Sequence, residues 1–305
     1  MSNISIFLVP ALIYVILILA GWGVALWLLP LALRPYRFWL APWIGISVLS
    51  TASLWASRLG LGTEKSVYVI LGFSLLLIFL GFIFLRKNSK QQPFKAKKID
   101  HWVMAIATMV SLFLALSPIL ISDNILTSTS IGNNDPRDYA LLGDYLKTHG
   151  VYQVPAGYNS YPSAQAISDY LQPGVRPGTW LLYSAVGSAF HLPTHQIFST
   201  LLAIIYSLTP PLLYILAYIA SNSRLSSFFT LLISTLNINL LQVTYQGFGA
   251  QVPATGILMF AVLLILLALQ TRSEDKVSRS DYWKCIFFLG MSISCLFAMY
   301  VELVP

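Results

Sequence analysis

Charged residues are scarce in this chain. Only 10% of its 305 residues are Asp, Glu, Lys or Arg, whereas a soluble globular protein carries about 25%. Hydrophobic residues make up 57% of the sequence. This composition excludes an ordinary soluble domain and predicts a polytopic membrane protein.

Metal and redox motifs are also lacking. The only two cysteines, Cys285 and Cys295, lie in one apolar run and indicate neither a disulfide framework nor a metal site. His191 and His195 flank Pro193, which breaks the helix that a metal-binding histidine pair would need. The sequence contains no Walker A, Rossmann or zinc-finger pattern.

The N-terminus has no basic region and no cleavage site, so the first apolar run is predicted to be retained as a span.

Long apolar runs supply the predicted architecture. Eight of them are close to the ~20 residues needed to cross ~30 Å of hydrocarbon. The predicted spans are 6–30, 38–57, 66–85, 102–121, 197–220, 226–243, 253–270 and 285–301. The apolar run 179–190 is too short to cross and is predicted to be re-entrant or interfacial. The fold class is therefore an all-α polytopic membrane protein of about eight transmembrane helices.

Basic residues predict its orientation. The loop 86–101 has six Lys or Arg against one Asp, which is the strongest positive-inside signal in the chain. The loop 122–177 has five acidic residues against three basic ones and is predicted to lie outside. The net charge of +7 is thus explained by topology, and we predict membrane lipids but no nucleic acid as partners.

The chain then divides into three predicted regions. A four-span region covers 1–121, an extracytoplasmic loop covers 122–178, and the re-entrant segment with four further spans covers 179–305. The sequence stops at Pro305, directly after the last span, which predicts a fragment of a longer protein.

The only long polar segment, 132–178, contains the leading candidate site. Asp135 and Pro136 begin a predicted amphipathic helix that ends before Gly150. One interpretation of Asp135 is a helix cap. The other is a carboxylate at the membrane surface that accepts a proton from an incoming hydroxyl.

This segment resembles the membrane-embedded glycosyltransferases of the C superfamily (GT-C), among them lipid A aminoarabinose transferases and protein O-mannosyltransferases. The resemblance rests on Asp135 with Tyr139 in the helix, Gly150 after it, and Arg176-Pro177 before a pair of apolar helices. It covers roughly 132–220.

The resemblance implies an extracytoplasmic loop with juxtamembrane helices, a bacterial plasma membrane location and a polyprenyl-phosphate-linked sugar donor. It implies that Asp135 is the catalytic base or helps to hold a divalent metal, and that Arg176 lies near the lipid phosphate. Two features depart from the family pattern. The large loop follows the fourth span instead of the first, and Gly178 replaces a second proline.

Several polar residues map to the predicted outer face together with Asp135. The substrate-binding candidates are Asp138, Tyr139, Arg176, Gln246, Gln251 and Glu302. Gly247 and Gly249 would allow close backbone approach, although the same stretch also fits a plain turn between helices. Few acidic residues are available to hold a metal, so no metal ligand is assigned.

Three functions remain open. The leading one is sugar transfer from a polyprenyl-phosphate-linked donor on the extracytoplasmic face. A transporter or flippase would place ionisable residues near the middle of the membrane, and the predicted spans have almost none. A non-catalytic assembly protein of cell-envelope glycan synthesis would keep the same fold without the chemistry.

Overall fold

The computed structural model describes residues 4–84, 97–121, 135–153, 155, 162–171, 176–273 and 279–300. All regular secondary structure in these ranges is helical. The helices are α1 (Ile4–Leu28), a 3-10 helix (Leu31–Tyr36), α2 (Arg37–Arg58), α3 (Thr63–Phe84), α4 (Lys98–Ile121), α5 (Asp135–Thr148), α6 (Pro162–Tyr170), α7 (Gly178–Phe190), α8 (Thr194–Ser221), α9 (Arg224–Thr235), α10 (Ile238–Tyr245), α11 (Gln251–Ser273) and α12 (Arg279–Met299).

Within the described residues, eight segments are long and apolar enough to cross a membrane. They are α1, the 3-10 helix with α2, α3, α4, α8, α9 with α10, α11 and α12. Each coincides with one of the runs predicted from the sequence. The all-helical class and the number of candidate spans are therefore confirmed.

The sixth span differs from its prediction as one continuous helix over 226–243. It consists of α9 and α10, with a break at Leu236 and Asn237. The Asn237 side chain accepts a hydrogen bond from the Leu240 amide (3.1 Å) and so caps the start of α10. Average hydropathy does not reveal such a break, because both halves are apolar.

Glycines allow the first two spans to pack backbone to backbone. A Cβ atom added at Gly21 would lie 1.9 Å from the Ala41 carbonyl oxygen, and one at Gly45 would lie 2.0 Å from that of Leu17. Such close approach through small residues is typical of membrane helix pairs, which have no hydrophobic effect between them to drive association. The α1–α2 pair then packs on α3 and α8.

Helix α7 occupies the run that is too short to cross. It is buried from Gly178 to Ser188 and contacts α2, α3, α5, α8 and α12. It ends at His191, which adopts the left-handed conformation (φ 54°), and α8 begins at Thr194. The helix break predicted near 191–194 is therefore observed, and side chains of α5 hydrogen-bond to its backbone at Leu192 and Thr194.

The described segments between candidate spans gather at two ends of the bundle. We call one of them the site end; it contains the α2–α3 turn, α5, α6, α7 and the α10–α11 turn. There Gly62 packs on the backbone of Lys147, and Gly247 packs on Pro136. Contacts of these two turns with α5 thus hold the site end together.

The opposite end contains the 3-10 helix, the start of α4, the α8–α9 turn and the start of α12. The Asp100 carboxylate there accepts a hydrogen bond from the Tyr214 hydroxyl (2.9 Å) and lies 3.4 Å from Arg224 Nε. Asp281 accepts a bond from the Leu31 amide (3.3 Å). Which end faces the cytoplasm stays a prediction from the basic loops.

Candidate functional site

Helix α5 begins at Asp135 and ends at Thr148, in agreement with the predicted amphipathic helix. Acidic residues in its first turn are favourable beside the positive end of the helix dipole. Leu142 and Leu146 are fully buried and pack with Trp180 of α7 in a small apolar cluster. This buried face fixes α5 on the end of the bundle and points its first turn toward the other loops.

The last turns of α5 are tied to the junction between α7 and α8. Asp144 Oδ1 accepts hydrogen bonds from the Thr194 amide (2.8 Å) and hydroxyl (2.9 Å). The Lys147 ammonium donates to Asp144 and also to the Leu192 carbonyl oxygen (2.8 Å). Gly143 permits this contact, since a Cβ there would lie 2.6 Å from the Thr194 methyl group.

Tyr139 lies in an aromatic cluster formed by three helices. Its ring centroid is 6.4 Å from that of Trp180, 5.8 Å from that of Tyr183 and 5.6 Å from that of Phe198. The Ala250 backbone in the α10–α11 turn lies close enough to its hydroxyl to act on it electrostatically. Tyr139 therefore connects α5 to α7, α8 and the α10–α11 turn.

The pKa values of Tyr139 and Tyr170, the two tyrosines near Asp135, are raised. Burial raises the pKa of Tyr139 above its ordinary value, and the negative charge of Asp135 raises it further. The hydrogen bond to Asp138 is the main cause that raises the pKa of Tyr170, to which burial and the charge of Asp135 add. The Asp135 carboxylate is thus within electrostatic reach of both phenols, which remain protonated at neutral pH.

Asp138, a predicted substrate-binding residue, connects α5 to α6. Its Oδ2 accepts a hydrogen bond from the Tyr170 hydroxyl (2.7 Å), and its Oδ1 accepts one from Arg137 Nε (3.2 Å). The Tyr170 ring meets Trp180 edge-on, with centroids 5.8 Å apart. Asp138 therefore positions a partly exposed aromatic ring at the rim of the cluster.

The glycine turn over 246–251 reaches the start of α5. Gly247, at φ 72°, packs so closely on Pro136 that a Cβ would lie 2.6 Å from its ring. A Cβ added at Gly249 would lie 3.1 Å from the rings of Tyr139 and Phe198, so the glycine allows the turn to pack on both rings. Gln246 and Gln251 flank this turn, at the end of α10 and the start of α11.

Arg176 precedes the start of α7. It is half-buried and lies four residues before Trp180, whose ring neighbours Tyr139. Gly178 packs on the backbone of Ala298 near the end of α12. Glu302, the remaining predicted site residue, lies outside the described residues.

The aromatic partners were not singled out by the sequence reasoning. Trp180 and Tyr183 occur three residues apart in an apolar run, a spacing that fits a buried helix face as well as a site. Phe198 and Tyr170 lie on other helices. In the parts of the chain that the structure describes, no three His, Cys, Asp or Glu side chains gather closely enough to hold a metal ion.

Comparison with known proteins adds no relative: no family model, curated protein or solved structure matches this chain. The resemblance seen at Asp135, Tyr139 and Arg176 accordingly stays a prediction. The case for a function rests on the arrangement of residues at the site end.

Proposed function

We propose that this protein is a membrane-embedded glycosyltransferase of the GT-C type, which transfers a sugar from a polyprenyl-phosphate-linked donor on the extracytoplasmic face of a bacterial plasma membrane. The observation that carries the proposal is the packing of the first turn of α5 against the glycine turn 246–251 and the aromatic cluster. This packing gathers Asp135, Tyr139 and the turn flanked by Gln246 and Gln251 at one end of a bundle of candidate spans.

Asp135 supplies the base in the proposed reaction. The acceptor hydroxyl oxygen attacks the anomeric carbon of the donor sugar, and its proton passes to the Asp135 carboxylate. The bond between the anomeric carbon and the phosphate oxygen breaks, and the lipid phosphate leaves with the electron pair. Arg176 offsets the negative charge that builds up on this leaving group.

The exposed ring of Tyr170 suits a sugar ligand. Binding sites for small molecules combine apolar and aromatic walls with a few polar groups that fix orientation. Tyr170 is partly exposed at the rim, and its bond to Asp138 orients the ring beside Trp180. Gln246 and Gln251 would supply amide groups for the sugar hydroxyls.

A transporter shares one feature with this protein, the broken sixth span at Leu236 and Asn237. Ion-coupled transport also needs ionisable groups deep in the membrane. The central parts of the eight candidate spans carry no Asp, Glu, Lys or Arg. The lack of such groups counts against ion-coupled transport. The experiment below distinguishes the glycosyltransferase from the non-catalytic assembly protein.

The test is sugar transfer in membranes that contain the protein, with radiolabelled polyprenyl-phosphate sugars as donors. Asp135→Asn keeps the size of the side chain but removes the base, and we expect at least about a 100-fold loss of transfer. Asp169→Asn is the matched control, since Asp169 is an exposed acid on α6. Equal transfer by wild type and Asp135→Asn, with both proteins inserted in the membrane, would show that Asp135 is a helix cap and would contradict the catalytic proposal.

A further inference from the structure

Among the residues that the structure describes, neither of two arginines at the opposite end of the bundle has an anionic partner. Arg34 lies in the last turn of the 3-10 helix, and Arg37 begins α2. Both are half-buried, and the Nε atom of each is buried without a hydrogen-bond partner among the described residues. Each guanidinium group is thus partly desolvated without an anionic partner among the described residues, which costs free energy that an anion bound to the group would offset.

The carboxylates that approach this region already have other partners. Asp281 accepts from the Leu31 amide (3.3 Å) and from the Lys284 ammonium (2.7 Å). Asp100, farther along the same end, is bound by Tyr214 and Arg224. Within the described chain, therefore, neither carboxylate forms an ion pair with Arg34 or Arg37.

The local geometry concentrates positive charge. The Arg34 and Arg37 guanidinium groups are close enough to act on each other electrostatically. The first turn of α2 adds the positive end of its helix dipole at Arg37. The Trp22 ring lies 5.8 Å from the Arg37 guanidinium carbon and limits where that side chain can point. Two fixed, neighbouring guanidinium groups match the oxygens of a phosphate better than those of a single carboxylate.

We propose that Arg34 and Arg37 form a binding site for a phosphate group, which the headgroup of an anionic phospholipid supplies. Both residues lie near the junction of the first two candidate spans, Leu8–Leu28 and Leu31–Arg58. Basic residues at the end of a span are expected at the level of the lipid headgroups. A free phosphate has the same chemistry, so the experiment separates the two sources. This site is independent of the proposed sugar transfer, because it lies at the other end of the bundle.

The experiment measures phosphatidylglycerol and phosphatidylcholine bound to the whole chain in detergent, by native mass spectrometry. We expect the wild type to prefer phosphatidylglycerol. Arg34→Gln with Arg37→Gln should weaken that binding about 30-fold, since each arginine near a membrane surface contributes about 1 kcal/mol. Arg58→Gln is the matched control, because Arg58 also stacks on a tryptophan (5.5 Å from Trp55) but lies at the end of α2 that carries the α2–α3 turn.

Two further arms keep the result interpretable. The double lysine variant, Arg34→Lys with Arg37→Lys, retains the charge but lacks the planar guanidinium fork that binds two phosphate oxygens, so it should fold and still bind several-fold more weakly. Inorganic phosphate that binds in an arginine-dependent way, with no preference for phosphatidylglycerol, would replace the lipid source by a soluble one. If neither ligand depends on Arg34 and Arg37 in either double variant, the site does not exist.

Discussion

The Asp144 carboxylate of α5 caps α8, because its Oδ1 atom accepts both the amide and the hydroxyl hydrogen bond of Thr194. A helix cap is usually supplied by a residue next to the helix in sequence. Here it comes from a helix fifty residues earlier. The cap therefore fixes the loop helix that begins at Asp135 to the core span that carries Phe198.

Asp144→Ala should lower the stability of the folded protein by about 1–2 kcal/mol, the usual cost of losing a helix cap. It also leaves the largely buried Lys147 ammonium without its carboxylate partner. The measurement is the thermal melting temperature in detergent, followed by tryptophan fluorescence. Asp169→Ala removes an exposed acid from α6 and should melt like the wild type. A wild-type melting temperature for Asp144→Ala would show that the cap contributes nothing.

Tyr139 should make stability depend on pH in the alkaline range. Burial and Asp135 raise the pKa of Tyr139 in the folded state, whereas in the unfolded chain the phenol ionises near pH 10. Its contribution is therefore fully present below about pH 10 and is lost as the pH rises toward the folded-state pKa. Tyr139→Phe cannot ionise, so its melting temperature should fall less steeply than that of the wild type between about pH 9 and pH 11.

The control for that series is Tyr152→Phe, because Tyr152 is exposed beyond the end of α5. Its removal should leave the alkaline slope unchanged. Parallel slopes for wild type and Tyr139→Phe would mean that the Tyr139 phenol ionises freely, and that the aromatic cluster is open to water.

Gly45→Ala should disrupt the α1–α2 pair. The new Cβ would lie 2.0 Å from the Leu17 carbonyl oxygen, which is backbone and cannot turn away. Separating the two helices should cost about 3 kcal/mol or more. The measurement is the yield of monodisperse protein together with its melting temperature.

Gly72→Ala is the matched control within α3. A Cβ at Gly72 meets nothing within 4 Å, so this change should be neutral or stabilise the helix by a few tenths of a kcal/mol up to about 1 kcal/mol. Similar behaviour of Gly45→Ala and Gly72→Ala would contradict the close α1–α2 contact.

Local sequence was sufficient to predict the apolar spans, whose length the bilayer sets, and the helix ends that depend on the residues of a single turn. The eight candidate spans follow from runs of about 20 apolar residues, since bilayer thickness sets that length. The start of α5 follows from Asp135 and Pro136, whose side chains suit the first turn of a helix. The break before Thr194 follows from Pro193, which cannot continue α7.

The neighbours of Tyr139 and Asp138 could not be derived in that way. Tyr139 contacts Trp180 and Phe198, which are 41 and 59 residues later in the chain. Asp138 binds Tyr170 across a segment whose path the sequence pattern does not specify. Hydrophobic periodicity tells which face of a helix is buried, but it carries no information about which other helix covers it.

The amino-acid sequence by itself thus determined that this protein is helical, that eight of its segments can cross a membrane, and that one polar segment begins with an acidic helix. Only the tertiary structure decided that Asp144 caps α8, that the glycine turn 246–251 packs on the start of α5, and that Arg34 and Arg37 have no carboxylate partner among the described residues. The physical reason is that burial and helix formation depend on neighbouring residues along the chain, whereas a site depends on side chains that packing brings together from distant helices.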